Sequence, residues 1–129
     1  MIIAIDGPAG SGKSTVAKIV AKKLNFRYID TGSMYRSVAW KSLQKNTALE
    51  DKEAVANIAL KTKIELVCSE GGQLVFVDDK NITDQLKMEV ISRGAAIVAA
   101  QPIIREIMTT KQRQLGKLGK VVMDGRDIG

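Results

Sequence analysis

The chain has 129 residues, with 20 Lys and Arg against 14 Asp and Glu, a formal charge of +6. Hydrophobic residues make up 45% and charged residues 26%, the balance of one ordinary globular domain rather than a collagenous, disordered or disulfide-built chain. No apolar run approaches the ~20 residues of a membrane span, the first residues are too soon charged for a secretory signal, and the absence of histidine excludes a His base, a His-ligated metal and a Ser-His triad.

The predicted elements begin with Ile2-Ile3-Ala4-Ile5, a short β-branched run that reads as a buried strand. A glycine-rich turn follows, and from Lys13-Ser14-Thr15 the period becomes helical. Val16, Ile19, Val20 and Leu24 are spaced as one apolar face, with Lys18, Lys22 and Lys23 on others and Asn25 as the stop. Phe26 to Ile29 reads as a second strand ending at Asp30. Thr31 or Ser33 is then the expected N-cap of a helix that carries Met34, Val38 and Leu43 inward and runs to about Lys45. Leu49 to Leu60 predicts a third amphipathic helix, starting near Asp51.

The period then changes. Ile64 to Cys68 and Gln73 to Val77 flank Ser69-Glu70-Gly71-Gly72, a hairpin signature. Strands joined by so short a turn are antiparallel, which sets them apart from a parallel sheet. Met88 to Ala100 returns to helix, Pro102 starts another that runs to about Leu115, and Lys120 to Met123 reads as a last strand before Asp124-Gly125-Arg126-Asp127. Trp40 is expected to pack, and the methionines to fill core.

Three clusters carry chemistry. Gly7-Pro8-Ala9-Gly10-Ser11-Gly12-Lys13-Ser14 satisfies the phosphate-loop pattern G-x-x-x-x-G-K-[ST], with a strand before it and a helix after. Glycines let backbone N–H groups converge on phosphate, and the helix dipole adds to them. Lys13 suits the β- and γ-phosphates of a nucleoside triphosphate, and the Ser14 hydroxyl suits Mg²⁺. The second cluster, Asp30-Thr31-Gly32-Ser33-Met34-Tyr35-Arg36, follows the second strand. Ligands of open α/β sheets bind beyond the carboxyl ends of strands. That would put Asp30 beside the phosphate loop, and the Arg36 guanidinium suits a second phosphate. The bland reading is a helix cap with a solvated arginine. The third cluster is Asp124-Gly125-Arg126-Asp127, where Arg126 would neutralise a transferring phosphoryl group, or where a polar turn simply ends the strand. Arg105, in a first helical turn, reads by itself as a surface residue.

Taken together, the phosphate loop through Thr15, Asp30 to Arg36, Pro102-Ile103-Ile104-Arg105 and Asp124-Gly125-Arg126-Asp127-Ile128-Gly129 resemble bacterial cytidylate kinases in order and spacing, from residue 2 to 129. The loop is shared with many kinases; the Asp30 and Asp124 stretches are more specific. The resemblance implies a P-loop NTPase three-layer α/β sandwich. Its parts would be a central parallel sheet and a small antiparallel insert, at about 61–84, that binds the nucleoside monophosphate. It implies transfer of the ATP γ-phosphoryl group to CMP or dCMP by a cytoplasmic, monomeric enzyme with no nucleic-acid or membrane partner. The single cysteine, Cys68, fits a reducing compartment. By resemblance, residues 7–15 bind ATP and Ser14 binds Mg²⁺. Lys13, Arg126 and Asp30 are catalytic, Arg36 and Arg126 hold the acceptor's phosphate, and Arg105 and Asp127 read cytosine. A carboxylate with a guanidinium complements the N4 donor and the N3 and O2 acceptors of that base.

Two departures accompany the resemblance. Gly94-Ala95-Ala96-Ile97 stands where the family often carries a base-contacting serine. The chain also ends at Gly129, before the family's last strands, its arginine-bearing lid and its sugar-holding residue. A chain of this extent is expected to leave its first strand at a sheet edge, to be poorly stable and to turn over little unaided. The remaining alternatives are a shikimate or dephospho-coenzyme A type of kinase, a nucleotide-binding module without turnover, and a nucleic-acid binder supported by charge alone. The lysines are dispersed and aromatic residues are 4%, so the charge reads as a solvated surface or as suited to small phosphorylated anions.

Overall fold

A computed structural model describes residues 2–6, 13–24, 27–69, 72–117, 119 and 121–125. The fold is mixed α/β, with a parallel sheet and a separate antiparallel one. The chain divides into two compact units, residues 1–32 with 109–129, and residues 33–108.

The first unit is built on β1 (Ile2–Asp6), β2 (Arg27–Asp30) and β6 (Val121–Gly125), in the order β1-β6-β2 and all parallel. The last strand thus lies in the middle. Among the described residues β1 is at an edge, as the sequence leads one to expect. Ile29, Val121 and Val122 are buried, as suits β-branched residues in a parallel sheet.

Helix α1 (Lys13–Leu24) packs on this sheet through a different face from the one its large residues mark. Ala17 and Ala21 are buried against Tyr28 and Val122, with Ile3, Ile5 and Val20 around them. Val16, Ile19 and Leu24 are about half exposed, at 52%, 50% and 48%. Small side chains let the helix backbone approach the strands, so the alanines take the inner face. The chain from 109 to Gly116 is the second half of α5 (Pro102–Gly116).

The second unit begins within α2 (Thr31–Gln44) and continues through α3 (Lys52–Lys61). Asp51 caps α3, its Oδ1 accepting the Ala54 N–H at 3.2 Å. The hairpin forms as its sequence requires: β3 (Ile64–Ser69) pairs antiparallel with β4 (Gly72–Val77), Ile64 opposite Val77. A two-residue strand, β5 (Lys80–Asn81), extends this sheet. A short 3-10 turn at Gln85–Lys87 leads to α4 (Glu89–Ala99) and the first half of α5. Met34, Val38, Val55, Val77, Ile82, Val98, Ile104 and Met108 form the buried side chains here, and Trp40 is packed at 7% exposure. Leu43, expected inward, is exposed, while Ser42 beside it is buried. Gln101 closes the connection between α4 and α5 by donating its Nε2 to the Leu49 carbonyl at 2.7 Å. No described helix is long and apolar enough to cross a membrane.

Candidate functional site

The parallel strands end in register. Asp6 of β1 is opposite Gly125 of β6, and Asp30 of β2 is opposite Asp124. Ligands of open α/β sheets bind at this carboxyl edge. Here it brings Asp30 and Asp124 onto adjacent strands, with β1, the strand that precedes the phosphate-loop sequence, on the other side of β6.

Asp30 has a structural duty that fixes it. Its Oδ1 accepts the Gly32 N–H at 3.0 Å, the bond of an N-cap residue to the second helical position. The cap of α2 is therefore Asp30, not Thr31 or Ser33. Thr31 is the first helical residue, and its hydroxyl is used elsewhere: Oγ1 donates to the Asp124 carbonyl at 2.8 Å. Ser33 accepts through its carbonyl from the Ser37 hydroxyl at 2.7 Å. The turn between β2 and α2 is thus stitched to β6 by a bond across 93 residues of sequence, which no local pattern could announce.

Asp124 is the residue whose importance the sequence understates. It is 1% exposed, and its Oδ2 accepts the Tyr28 hydroxyl at 2.9 Å. A buried carboxylate without donors is costly, so such a partner is required. Lys18 of α1 holds its ammonium 5.7 Å from the centre of the Tyr28 ring, within cation–π range. The only sequence signal for Tyr28 is a polar-tipped aromatic in a strand otherwise suited to burial.

The other predicted residues fall as follows. Lys13 and Ser14 begin α1 and Thr15 is exposed in its first turn. Gly7, Pro8, Ala9, Gly10, Ser11, Gly12, Arg126 and Asp127 lie outside the described residues. Arg36 is half-buried on α2, and Arg105 is exposed in the first turn of α5, both in the second unit. Within that unit the Arg105 charge reaches Tyr35. Burial pushes the Tyr35 phenol above its ordinary value, and Arg105 pulls against that rise. The residue preceding Arg36 in sequence and Arg105 are therefore neighbours.

The donor set suits a hard cation. Mg²⁺ is held through one or two carboxylates together with substrate phosphates rather than in an all-protein cage. Asp30 and Asp124, paired at the strand ends, provide such carboxylates.

Comparison with known proteins places the chain in a family. The sequence model of the cytidylate kinase family matches residues 3–129. A cytidylate kinase from Geobacillus sp. (strain WCH70) is 52% identical over 127 residues, covering 98% of this chain and 57% of the relative. One from Bacillus subtilis (strain 168) is 50% identical, with the same coverage of 98% and 57%. One from Caldanaerobacter subterraneus is 48% identical over 127 residues, 55% of that protein. The chain thus spans a little over half the length of these curated relatives.

Proposed function

We propose, starting from a chain that belongs to the cytidylate kinase family, that the protein in its complete form transfers the γ-phosphoryl group of ATP to CMP or dCMP. The observation that carries the proposal is the common edge of the parallel sheet. Asp6, Asp30 and Gly125 end adjacent strands there, and the phosphate-loop, acceptor and Asp124-to-Asp127 sequences all continue from it.

In this reading an oxygen of the acceptor phosphate attacks the γ-phosphorus, and the bond from that phosphorus to the bridging oxygen of ADP breaks. No strong base is needed, because the attacking group is already an anion. Residues 7–15 cradle the triphosphate, with Lys13 at its β- and γ-phosphates. Ser14, Asp30 and Asp124 are the groups that would hold Mg²⁺, directly or through water. Bound with the nucleotide, Mg²⁺ supplies positive charge to the phosphate oxygens. Arg36 and Arg126 grip the acceptor phosphate, and Arg126 also meets the charge of the transferring group. Arg105 and Asp127 select cytosine: a carboxylate that accepts the N4 amine faces a carbonyl in uracil, and a buried mismatch of that kind costs several-fold to many-fold in discrimination. The enzyme is proposed to be a cytoplasmic monomer with no nucleic-acid partner.

A coupled assay of ADP release from Mg-ATP by the protein in its complete form tests the proposal. CMP and dCMP should be accepted, and shikimate and dephospho-coenzyme A should not. Transfer to either of the latter would replace the reading with another kinase. Tight nucleotide binding without transfer to any acceptor would leave a binding module. Lys13→Ala should depress transfer with every acceptor, whereas Asp127→Ala should relax the preference for CMP over UMP and leave ATP binding intact. Equal damage to ATP binding by both would remove Asp127 from base recognition.

A further inference from the structure

We propose that Tyr28 is a positioning residue for the Asp124 carboxylate, and that it acts on the metal-nucleotide complex through that carboxylate; the inference rests on the kinase reading above. Three observations carry it. Asp124 is almost completely buried, at 1% exposure. The Tyr28 hydroxyl donates to its Oδ2 at 2.9 Å. The Tyr28 ring is itself clamped, being buried with Ala17, Ala21 and Val122 and overlaid by the Lys18 ammonium at 5.7 Å.

The geometry explains why a tyrosine rather than a shorter donor does this work. Tyr28 is opposite Val122 in the β2–β6 pairing, and Asp124 is opposite Asp30, two residues further along both strands. Residues two apart on a strand share a face. The diagonal from Tyr28 to Asp124, two residues along and one strand across a parallel pair, spans roughly 8 Å between backbones. A serine or threonine at that position would fall short, whereas a phenol reaches across. The Asp124 main chain is held separately, by the Thr31 hydroxyl on its carbonyl. Tyr28 therefore governs the direction of the side chain and Thr31 the position of the strand end. Lys18 ties the ring to α1, the helix that follows the phosphate-loop sequence, so one phenol links that helix to the end of β6.

The test measures ATP affinity of the 129-residue chain by calorimetry, once with saturating MgCl₂ and once with EDTA. The readout is the ratio of the two affinities. A role confined to folding would lower both affinities together and leave the ratio unchanged. In the unsubstituted chain Mg²⁺ should tighten ATP. Tyr28→Phe should reduce that Mg²⁺-dependent gain by about tenfold, the scale of one hydrogen bond to a charged group, while the affinity in EDTA stays within about twofold. Lys18→Met keeps the stem and removes the cation from a solvent-exposed site, so its effect on folding should be small. It should reduce the ratio by about twofold, and it decides the matter if Tyr28→Phe does not fold. An unchanged ratio in the folded variants overturns the inference and leaves the kinase reading standing. A wild-type chain whose ATP binding ignores Mg²⁺ overturns both.

Discussion

Asp78 illustrates how a single residue can hold a strained turn by charge. It and Asp79 join β4 to β5 with φ of 48° and 70°, the left-handed conformation that two-residue hairpin turns require and that glycine or asparagine accepts more readily. Two bonds compensate. Oδ1 of Asp78 accepts the Lys63 N–H at 3.0 Å, and Oδ2 meets the Lys41 ammonium at 2.8 Å. The hydrogen bond from Lys41, then that from the Lys63 backbone, holds the Asp78 carboxyl below the usual carboxylate range. A depressed acid contributes stability above its unfolded pKa and loses it as pH falls through the folded one. Asparagine tolerates the same backbone, so Asp78→Asn removes the ion pair alone. Its side chain is 39% exposed, so the loss at pH 7 should be below about 1 kcal/mol. Urea unfolding should show that difference at neutral pH and show it shrinking away as the pH falls through the depressed titration range of Asp78, below that of an ordinary aspartate. A difference that persists in acid would place the effect in the turn instead. Tyr35 gives the opposite sign. Its raised phenol, caused first by burial, adds stability that is complete below about pH 10 and is lost as pH rises beyond. The alkaline absorbance titration of the native chain minus that of Tyr35→Phe should step above pH 10.

Elements were legible in the sequence wherever one local rule acts alone. The hairpin, the Asp51 cap and the proline-led α5 follow from turn, capping and φ preferences of neighbouring residues. Faces were less legible. The large residues of α1 are spaced for burial, yet Ala17 and Ala21 face the sheet, because closeness of approach and not side-chain size sets the inner face. At the candidate site, the place of Asp30 at the end of β2 could be read directly, while the phosphate-loop residues 7–12 lie outside the described residues. The roles of Tyr28 and Asp124 could not, because β-strand pairing across 96 residues creates their bond. Thr31 looked like a cap for the same reason: its hydroxyl goes to a strand that arrives 93 residues later. Gly94 makes a testable case of packing between elements. A Cβ there would lie 2.9 Å from Leu49 Cδ1 and 3.2 Å from Ala39 Cβ. Leu49 can swing its terminal methyl aside, and alanine gains about 1 kcal/mol of helix propensity over glycine. Gly94→Ala should therefore be close to neutral. Gly94→Val adds two methyl groups in a fixed rotamer against Ala39 on α2, and should cost about 1–3 kcal/mol. Thermal melts of the two variants separate crowding from propensity; equal midpoints would mean that α4 shifts freely.

At the scale of the whole molecule, the charge of +6 is the property that still has to be reconciled with a small-molecule substrate. A diffuse field and a built site respond differently to salt. Exposed lysines separated by more than about 8 Å are largely screened at physiological ionic strength, and binding to nucleic acid by such a surface weakens steeply as counterions compete. ATP, in the proposed site, is held by backbone N–H groups and one lysine at short range, so added salt should affect it far less. A labelled oligonucleotide should accordingly be retained by the protein at about 20 mM salt and released by about 200 mM, with affinity falling by a hundredfold or more. Over the same interval ATP affinity should fall by less than about tenfold, since one short-range charged contact is involved rather than many. Fluorescence anisotropy for the oligonucleotide and calorimetry for ATP give the two slopes. Parallel slopes would mean that ATP is held by the general field, which would undercut the phosphate-loop assignment itself. Retention of the oligonucleotide at 200 mM would restore nucleic acid as a partner, because only a surface with fixed, convergent contacts resists salt in that way.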